Sequence, residues 1–200
     1  VTYRESISTA ADYKEEFSKV LAGKENAACL TIHIEPRETG AGNSYTCAVH
    51  DNSIPKEIYE AIEQSIESCF ASGIRMGYPC TDIAVSVTDI KYDELTASTF
   101  AFEAAAAEAF DKACESATPE LLEPVMEVDI ECPAEFVGDA MSQITQRGGM
   151  IVSMDEKSGE NVIHAKAPMA KMFGFSTNLR SVTQGRASFG MVFSHFQVKV

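Results

Sequence analysis

One polar segment near the C-terminal end, residues 173–186, concentrates two arginines with two glycines and two phenylalanines. Gly174 and Gly185 mark the limits of predicted turns, and Arg180 and Arg186 lie beside these turns. A guanidinium group presents forked N–H donors that match phosphate oxygens, so this pattern indicates contact with a nucleic-acid backbone. A helix stabilised by local hydrogen bonds would hold the same residues without any ligand. The residues alone leave both interpretations open.

Two further polar segments are predicted to be loops of the N-terminal half. The first covers residues 19–26 and precedes a predicted strand, whereas the second covers residues 89–98 and follows another. If both strands belong to one sheet, the loops would form a shared tip at one end of it. Two plain connecting loops are the alternative interpretation. The residues of interest in these loops are Gly23, Lys24, Glu25, Asn26, Tyr92 and Asp93.

Motifs typical of enzymes are missing from the 200 residues. Neither the phosphate-binding pattern Gly-x-x-x-x-Gly-Lys-Ser/Thr nor the nucleophile motif Gly-x-Ser-x-Gly occurs. The six cysteines form no Cys-x-x-Cys pair, and the four histidines do not cluster with them in sequence. We therefore expect no catalytic site and no metal site in this chain, and reduced, mostly buried thiols in a cytoplasmic protein.

The charge of the chain is distributed unevenly. Its 16 basic and 30 acidic residues give a formal net charge of −14, which by itself argues against a polyanionic partner. Residues 1–121 hold nine basic and 21 acidic side chains, net −12, whereas residues 157–200 hold six basic side chains and one acid, net +5. The basic C-terminal end is therefore compatible with RNA.

No apolar stretch approaches the roughly 20 residues that a membrane helix needs, and no secretory signal is recognisable. The chain begins without an initiator Met on residues that resemble a strand, so we expect a fragment of a longer protein.

Hydrophobic patterning in the N-terminal half predicts a mixed fold. Apolar residues at every fourth position predict a helix that begins at Pro55 and ends at Gly73, and a second helix begins at Thr96 or Ser98. Alternation of apolar and polar residues predicts strands at 1–7, 29–35, 45–49 and 82–88. Residues 116–120 break the second helix and are the predicted domain boundary.

The C-terminal half shows a compact βαββαβ pattern. Strands are predicted at 124–132, 150–154, 161–167 and 188–198, with helices at 134–147 and within 169–183. This order is that of the ferredoxin-like, split βαβ sandwich. We therefore predict an α+β protein with two domains, residues 1–120 and 121–200.

The sequence closely resembles translation elongation factor G over essentially all 200 residues, in the right order. Residues 121–126 (LLEPVM), 146–149 (QRGG) and 173–186 resemble its fifth, C-terminal domain. Residues 3–5 (YRE), 54–56 (IPK), 77–79 (GYP) and 101–102 (AF) resemble its fourth domain. The resemblance implies a ribosomal protein S5 domain 2-like βαβ domain followed by a ferredoxin-like domain.

The resemblance also implies a function. The fourth domain would be an arm that enters the decoding site during GTP-dependent movement of tRNA and mRNA, and the fifth would dock on the ribosome. GTP and Mg²⁺ would bind a domain of the parent protein that this chain lacks, so the chain itself would need no cofactor. The partners would be the ribosome and tRNA–mRNA, without a membrane, and the fragment would be a cytoplasmic monomer. The residues expected to contact ribosomal RNA are Arg147, Lys171, Arg180, Gln184 and Arg186.

The two tip loops depart from the family pattern. The first usually reads Gly-Gly-x-Gly-Gln, whereas residues 22–26 read Ala-Gly-Lys-Glu-Asn. In the second a His usually follows the Tyr, whereas Asp93 follows Tyr92 here. A carboxylate would repel phosphate where RNA or tRNA approaches, so a divergent paralogue is expected. A recycling factor, a ribosomal protection protein and a stand-alone binding module remain alternatives.

Overall fold

The computed structural model describes residues 2–200, which form two compact units. Residue 1, part of the first predicted strand, lies outside the described residues. We refer to Arg4–Leu121 as the N-terminal unit and to Leu122–Val200 as the C-terminal unit. Each has its own hydrophobic core of buried residues. No helix within the described residues is both long and apolar enough to cross a membrane.

The N-terminal unit packs two helices against a four-stranded sheet. Its elements are β1 (Arg4–Ile7), β2 (Ala11–Leu21), β3 (Lys24–Pro36), β4 (Ser44–Cys47), α1 (Lys56–Ser72), β5 (Ile83–Lys91) and α2 (Thr99–Ser116). The sheet order is β2-β3-β5-β4, with β4 parallel to β5 and the other pairs antiparallel. The predicted helices and the strands β3, β4 and β5 are present.

The helix ends follow from local chemistry. Pro55 precedes α1, and Gly73 ends it at φ +86°. The Ser98 hydroxyl accepts a hydrogen bond from the Ala101 N–H at 3.1 Å, which caps the first turn of α2. The buried face of α2 is rich in alanine, so its backbone packs closely on β2, β3 and α1.

The prediction of a loop over residues 19–26 is wrong. Residues up to Leu21 belong to β2 and residues from Lys24 belong to β3, so only Ala22 and Gly23 form the turn. The second loop is also shorter than predicted, because β5 continues to Lys91. Strand β2 lacks an apolar alternation because Glu15, 8% exposed, occupies a core-facing position and pairs with Lys112 at 3.4 Å.

The C-terminal unit has the predicted split βαβ arrangement. Its elements are β6 (Pro119–Pro133), of which residues 122–133 belong to this unit, α3 (Val137–Gln146), β7 (Met150–Lys157), β8 (Glu160–Pro168), α4 (Phe175–Val182) and β9 (Ser188–Val198). Short 3₁₀ turns at Ala134–Phe136 and Met169–Lys171 precede the two helices. The strands pair antiparallel in the order β9-β6-β8-β7. Strand β6 begins at Pro119, within the segment that the sequence assigns to the domain boundary.

Candidate nucleic-acid interface

The β2–β3 turn is a two-residue hairpin turn. Ala22 has φ +51° and Gly23 has φ +78°, so both lie in the left-handed region that a type I′ turn requires. Gly23 adopts this conformation freely, whereas the Cβ of Ala22 makes it unfavourable. Beside the turn, the Ser18 hydroxyl donates to Glu25 Oε1 at 2.9 Å, and the Asn26 amide donates to the Lys24 carbonyl at 3.1 Å.

The hairpin projects beyond its neighbour β5. In the β3–β5 ladder the last pair is Cys29 with Lys91, so residues 24–28 of β3 extend past the end of β5. Five residues of strand correspond to a length of about 17 Å. The second loop, residues 92–98, follows Lys91 and lies beside the base of the hairpin, where the Ala27 N–H donates to the Thr96 carbonyl at 3.0 Å.

A cavity of about 410 Å³ lies between the hairpin and the second loop. Three carboxylates, those of Glu16, Glu25 and Asp93, line it together with the single ammonium group of Lys91. The remaining lining residues are Phe17, Ala27, Ala28, Cys29, Tyr92 and Thr96. The structure therefore brings Glu25, Tyr92 and Asp93 together, whereas Gly23, Lys24 and Asn26 lie on the hairpin outside the cavity lining.

Asp93 also stabilises its own loop. Its Oδ1 accepts a hydrogen bond from the Leu95 N–H at 3.0 Å, and its carbonyl accepts from the N–H groups of Thr96 and Ala97 at 3.1 and 2.8 Å. This is the side-chain-to-backbone pattern of an Asx turn. A substitution at Asp93 that removes the side-chain oxygen therefore changes both the charge of the tip and the shape of the loop.

Apolar side chains are exposed at the same end of the N-terminal unit. Val20 is 66% exposed on the hairpin, and Leu95 is 78% exposed on the second loop. Cys29 lines the cavity, and burial raises the pKa of its thiol. A raised pKa keeps this thiol protonated at neutral pH, so it is a poor nucleophile. The described residues contain no group of three or more His, Cys, Asp or Glu side chains that would hold a metal ion.

The predicted RNA-contacting cations of the C-terminal unit are not equivalent. The Arg147 guanidinium donates to the carbonyls of Lys171 and Phe173 at 2.7 and 2.8 Å, so it fixes the turn before α4. Arg186 pairs with Glu135 at 2.9 Å. Because these partners lie far away along the chain, no local sequence pattern predicts that the two guanidinium groups already have hydrogen-bond or ion-pair partners.

The other predicted contacts are also exposed residues. Arg180 on α4 and Lys171 before it are exposed, and neither side chain is in an ion pair with the residues that the structure describes. Gln184 is exposed in the turn after α4, where it has φ +54°. Arg180 and Lys171 are therefore the cations best placed to meet phosphate groups.

A histidine between two carboxylates was not singled out by the sequence. His164 Nδ1 lies 2.7 Å from Asp129 Oδ1, and its Nε2 lies 2.9 Å from Asp155 Oδ2. The hydrogen bonds to Asp129 and then to Asp155 raise the pKa of His164. The three residues lie on β8, β6 and β7, and only the register of these strands brings them together.

Comparison with known proteins agrees with these two units. The family model described as "Elongation factor G, domain IV" matches residues 1–118, and that described as "Elongation factor G C-terminus" matches residues 120–199. The chain is 59% identical over 208 aligned residues to elongation factor G 1 of Treponema denticola, an alignment that covers 100% of this chain and 30% of that protein. It is 47% identical over 205 residues to elongation factor G 2 of Treponema pallidum, covering 98% of this chain and 30% of that protein.

A solved structure from Thermus thermophilus matches the whole chain with a TM-score of 0.89 and 29% sequence identity. The match covers 100% of this chain and 30% of that protein. The chain thus spans 30% of the length of each of these relatives. From the two family models and these relatives, the chain belongs to the elongation factor G family and contains its domain IV and its C-terminal domain.

Proposed function

We propose that this chain is the C-terminal part of a GTP-dependent ribosomal translocase. Residues 1–120 form the arm that enters the decoding site beside tRNA–mRNA, and residues 121–200 form the domain that docks on the ribosome. The observation that carries the proposal is the hairpin at Ala22 and Gly23, which extends about 17 Å past β5 with the second loop at its base. A rigid projection of this kind acts by occupying space that tRNA has left.

GTP and Mg²⁺ belong to another part of the parent protein in this proposal. The 200 residues have no phosphate-binding loop, so the chain alone has no GTPase activity. It acts as a cytoplasmic monomer whose C-terminal unit docks on the ribosome. The basic C-terminal end, net +5 over residues 157–200, supports docking on ribosomal RNA through Arg180, Lys171 and Gln184. Arg147 and Arg186 contribute mainly to the shape of this surface.

The acidic tip favours a second candidate, a related ribosome-bound GTPase with a different task, such as recycling or ribosomal protection. Glu25 and Asp93 line one cavity at the end that would approach tRNA or the decoding site. Carboxylates at this place repel phosphate and weaken any contact that depends on cations. Both the acidic tip and the family are consistent with a parent protein that hydrolyses GTP on ribosomes but is slow in translocation.

A chimera distinguishes the two candidates. This chain replaces the matching residues of the Treponema denticola elongation factor G 1, with which it is 59% identical. GTP hydrolysis on 70S ribosomes and movement of tRNA on programmed ribosomes are then measured in the same preparation. Hydrolysis with slow translocation favours the second candidate, and translocation at the rate of the unaltered host favours the first. Failure of the isolated chain to bind 70S ribosomes in a sedimentation assay would contradict both.

A further inference from the structure

The turn that precedes α4 holds one aromatic ring out in solvent. Phe173 is 74% exposed, although Met172 and Phe175 on either side are only 6% and 1% exposed. The two buried neighbours anchor the turn in the core of the C-terminal unit. The exposed ring is therefore attached to a fixed segment of backbone.

Several hydrogen bonds make the turn rigid. The Arg147 guanidinium donates to the carbonyl groups of Lys171 and Phe173, at 2.7 and 2.8 Å. The Met172 N–H donates to the Met169 carbonyl at 3.1 Å, and the Phe175 N–H donates to the Met172 carbonyl at 3.1 Å. Because the backbone on both sides of the ring is fixed, a ligand would find Phe173 already in place and little conformational entropy would be lost on binding.

The surroundings of the ring are cationic. Arg147 is bonded to the Phe173 carbonyl itself, and the exposed Lys171 precedes the ring by two residues. Arg180 is exposed on the helix that begins two residues after the ring. An exposed aromatic ring on a segment that also carries exposed Lys and Arg residues matches an unpaired nucleotide, whose base stacks on the ring while its phosphate meets a cation.

We propose that Phe173 is a stacking platform for an unpaired base of ribosomal RNA, with Lys171 beside its phosphate. The proposal rests on ribosome docking and adds the structural class of RNA, a loop or bulge whose base is free to unstack. A paired helix offers no such base, because its bases are stacked on one another. Burial of Phe173 in an apolar pocket of a ribosomal protein is the competing outcome.

A tryptophan substitution reports stacking directly, because the chain contains no tryptophan. Phe173→Trp introduces a single indole at the site, and its fluorescence is measured while deproteinised large-subunit ribosomal RNA, which has no tryptophan, is added. The matched control is Val192→Trp, at a position that is 61% exposed on β9 of the same unit. We expect quenching of the indole at 173 and little at 192. Equal quenching of both, or quenching of neither, overturns the proposal.

Substitutions that separate ring stacking from apolar contact give a second measurement. Phe173→Leu keeps an apolar side chain but has no aromatic face, whereas Phe173→Trp keeps the face. Competition for 70S ribosomes by the 200-residue chain should show a loss of affinity of about fivefold or more for Phe173→Leu and near-normal affinity for Phe173→Trp. Normal affinity for Leu with weakened affinity for Trp would assign the ring to a protein pocket.

Failure of this inference differs from failure of the proposed function. If the unaltered chain binds 70S ribosomes and Arg180→Ala weakens that binding, docking stands whatever Phe173 does. If the unaltered chain does not bind at all, docking is wrong and no stacking contact exists.

Discussion

The carboxylate of Glu5 fills the space that a Cβ atom on Gly73 would need. Glu5 is only 3% exposed, and its two oxygens accept hydrogen bonds from three consecutive N–H groups, those of Ile74, Arg75 and Met76, at 2.8, 2.8 and 2.7 Å. A buried carboxylate with three donors is well compensated for the loss of water. The carboxylate thereby ties β1 to the loop that follows α1.

Gly73→Ala should lower the free energy of unfolding by about 3 kcal/mol or more, measured by urea denaturation. The added methyl group meets both the Glu5 carboxylate and the Tyr78 backbone, and φ +86° with ψ −173° is unfavourable for alanine. Gly77→Ala is the matched control, because φ is +80° there but nothing lies within 4 Å of the new Cβ. We expect the control to lose only about 1 kcal/mol. Equal losses at both positions would mean that the backbone angle alone, and not the carboxylate, constrains Gly73.

Ala22→Asn should stabilise the hairpin by about 0.5–1 kcal/mol. Ala22 has φ +51° at the first central position of a type I′ turn, where asparagine followed by glycine is strongly preferred. Thermal unfolding monitored by circular dichroism gives the shift in midpoint. Gly23→Ala serves as the opposite control and should destabilise, since φ is +78° at that position and alanine tolerates it poorly. An unchanged midpoint in both variants would show that the turn does not limit stability.

The pKa of His164 should exceed the ordinary value of about 6.5 when measured by NMR titration. Both ring nitrogens face carboxylates, at 2.7 and 2.9 Å, so a proton on each nitrogen is stabilised and the imidazolium form is favoured. Asp129→Asn should lower this pKa more than Asp155→Asn, because the hydrogen bond to Asp129 is the larger cause of the shift. Glu131→Gln, two residues along β6, is the control and should leave the titration nearly unchanged.

The sign of the stability effect follows from the raised pKa. Since folded His164 holds its proton more tightly than the unfolded residue, its contribution is complete below about pH 6.5 and disappears as the pH rises through the folded pKa. The difference in unfolding free energy between wild type and His164→Gln should therefore be larger at about pH 6 than at about pH 9. A difference that grows with pH would contradict the assignment.

Local sequence patterns predicted most helices and strands correctly. The arrangement of the candidate site residues depends on contacts between distant parts of the chain, which such patterns do not show. The fourfold spacing of Ile58, Ile62 and Ile66 fixed the buried face of α1, and all three are buried as expected. Strand β2 was missed because the buried Glu15 interrupts its apolar pattern. The residue that pairs with this carboxylate, Lys112, lies on α2, far along the chain. The Arg147 guanidinium binds carbonyl groups of residues 171 and 173, an arrangement that no local pattern reveals, and its contact with RNA stays a prediction.

Asp93→Asn should raise translocation by the chimera about twofold to fivefold, since one unit charge near a phosphate is worth about 1 kcal/mol in water. Asparagine keeps the oxygen that accepts the Leu95 N–H and removes only the charge. Asp93→Ala removes both and should not give the same gain, because the loop loses its turn hydrogen bond. The rate of tRNA movement on programmed ribosomes is measured for each variant. Equal rates for wild type and Asp93→Asn would exclude tip charge as the limit.

Arg180→Ala should weaken binding of the chain to 70S ribosomes about tenfold, because a hydrogen bond to a charged phosphate is lost. The slope of log affinity against log salt concentration should fall by about one, as for the loss of one phosphate contact. Arg180 is exposed and is not used in an ion pair with the described residues.

A neighbouring ion pair provides the control for this prediction. Glu135→Gln weakens the 2.9 Å contact with Arg186 without removing a cation. If Arg180 and Arg186 act only by stabilising the fold, Glu135→Gln should weaken ribosome binding as Arg180→Ala does. Neither substitution should then change the slope of log affinity against log salt concentration. If Arg180 meets phosphate, only Arg180→Ala changes the slope. Binding measured from about 50 to 200 mM salt therefore separates a direct RNA contact from a role in the fold, because only a released counterion gives a salt-dependent term.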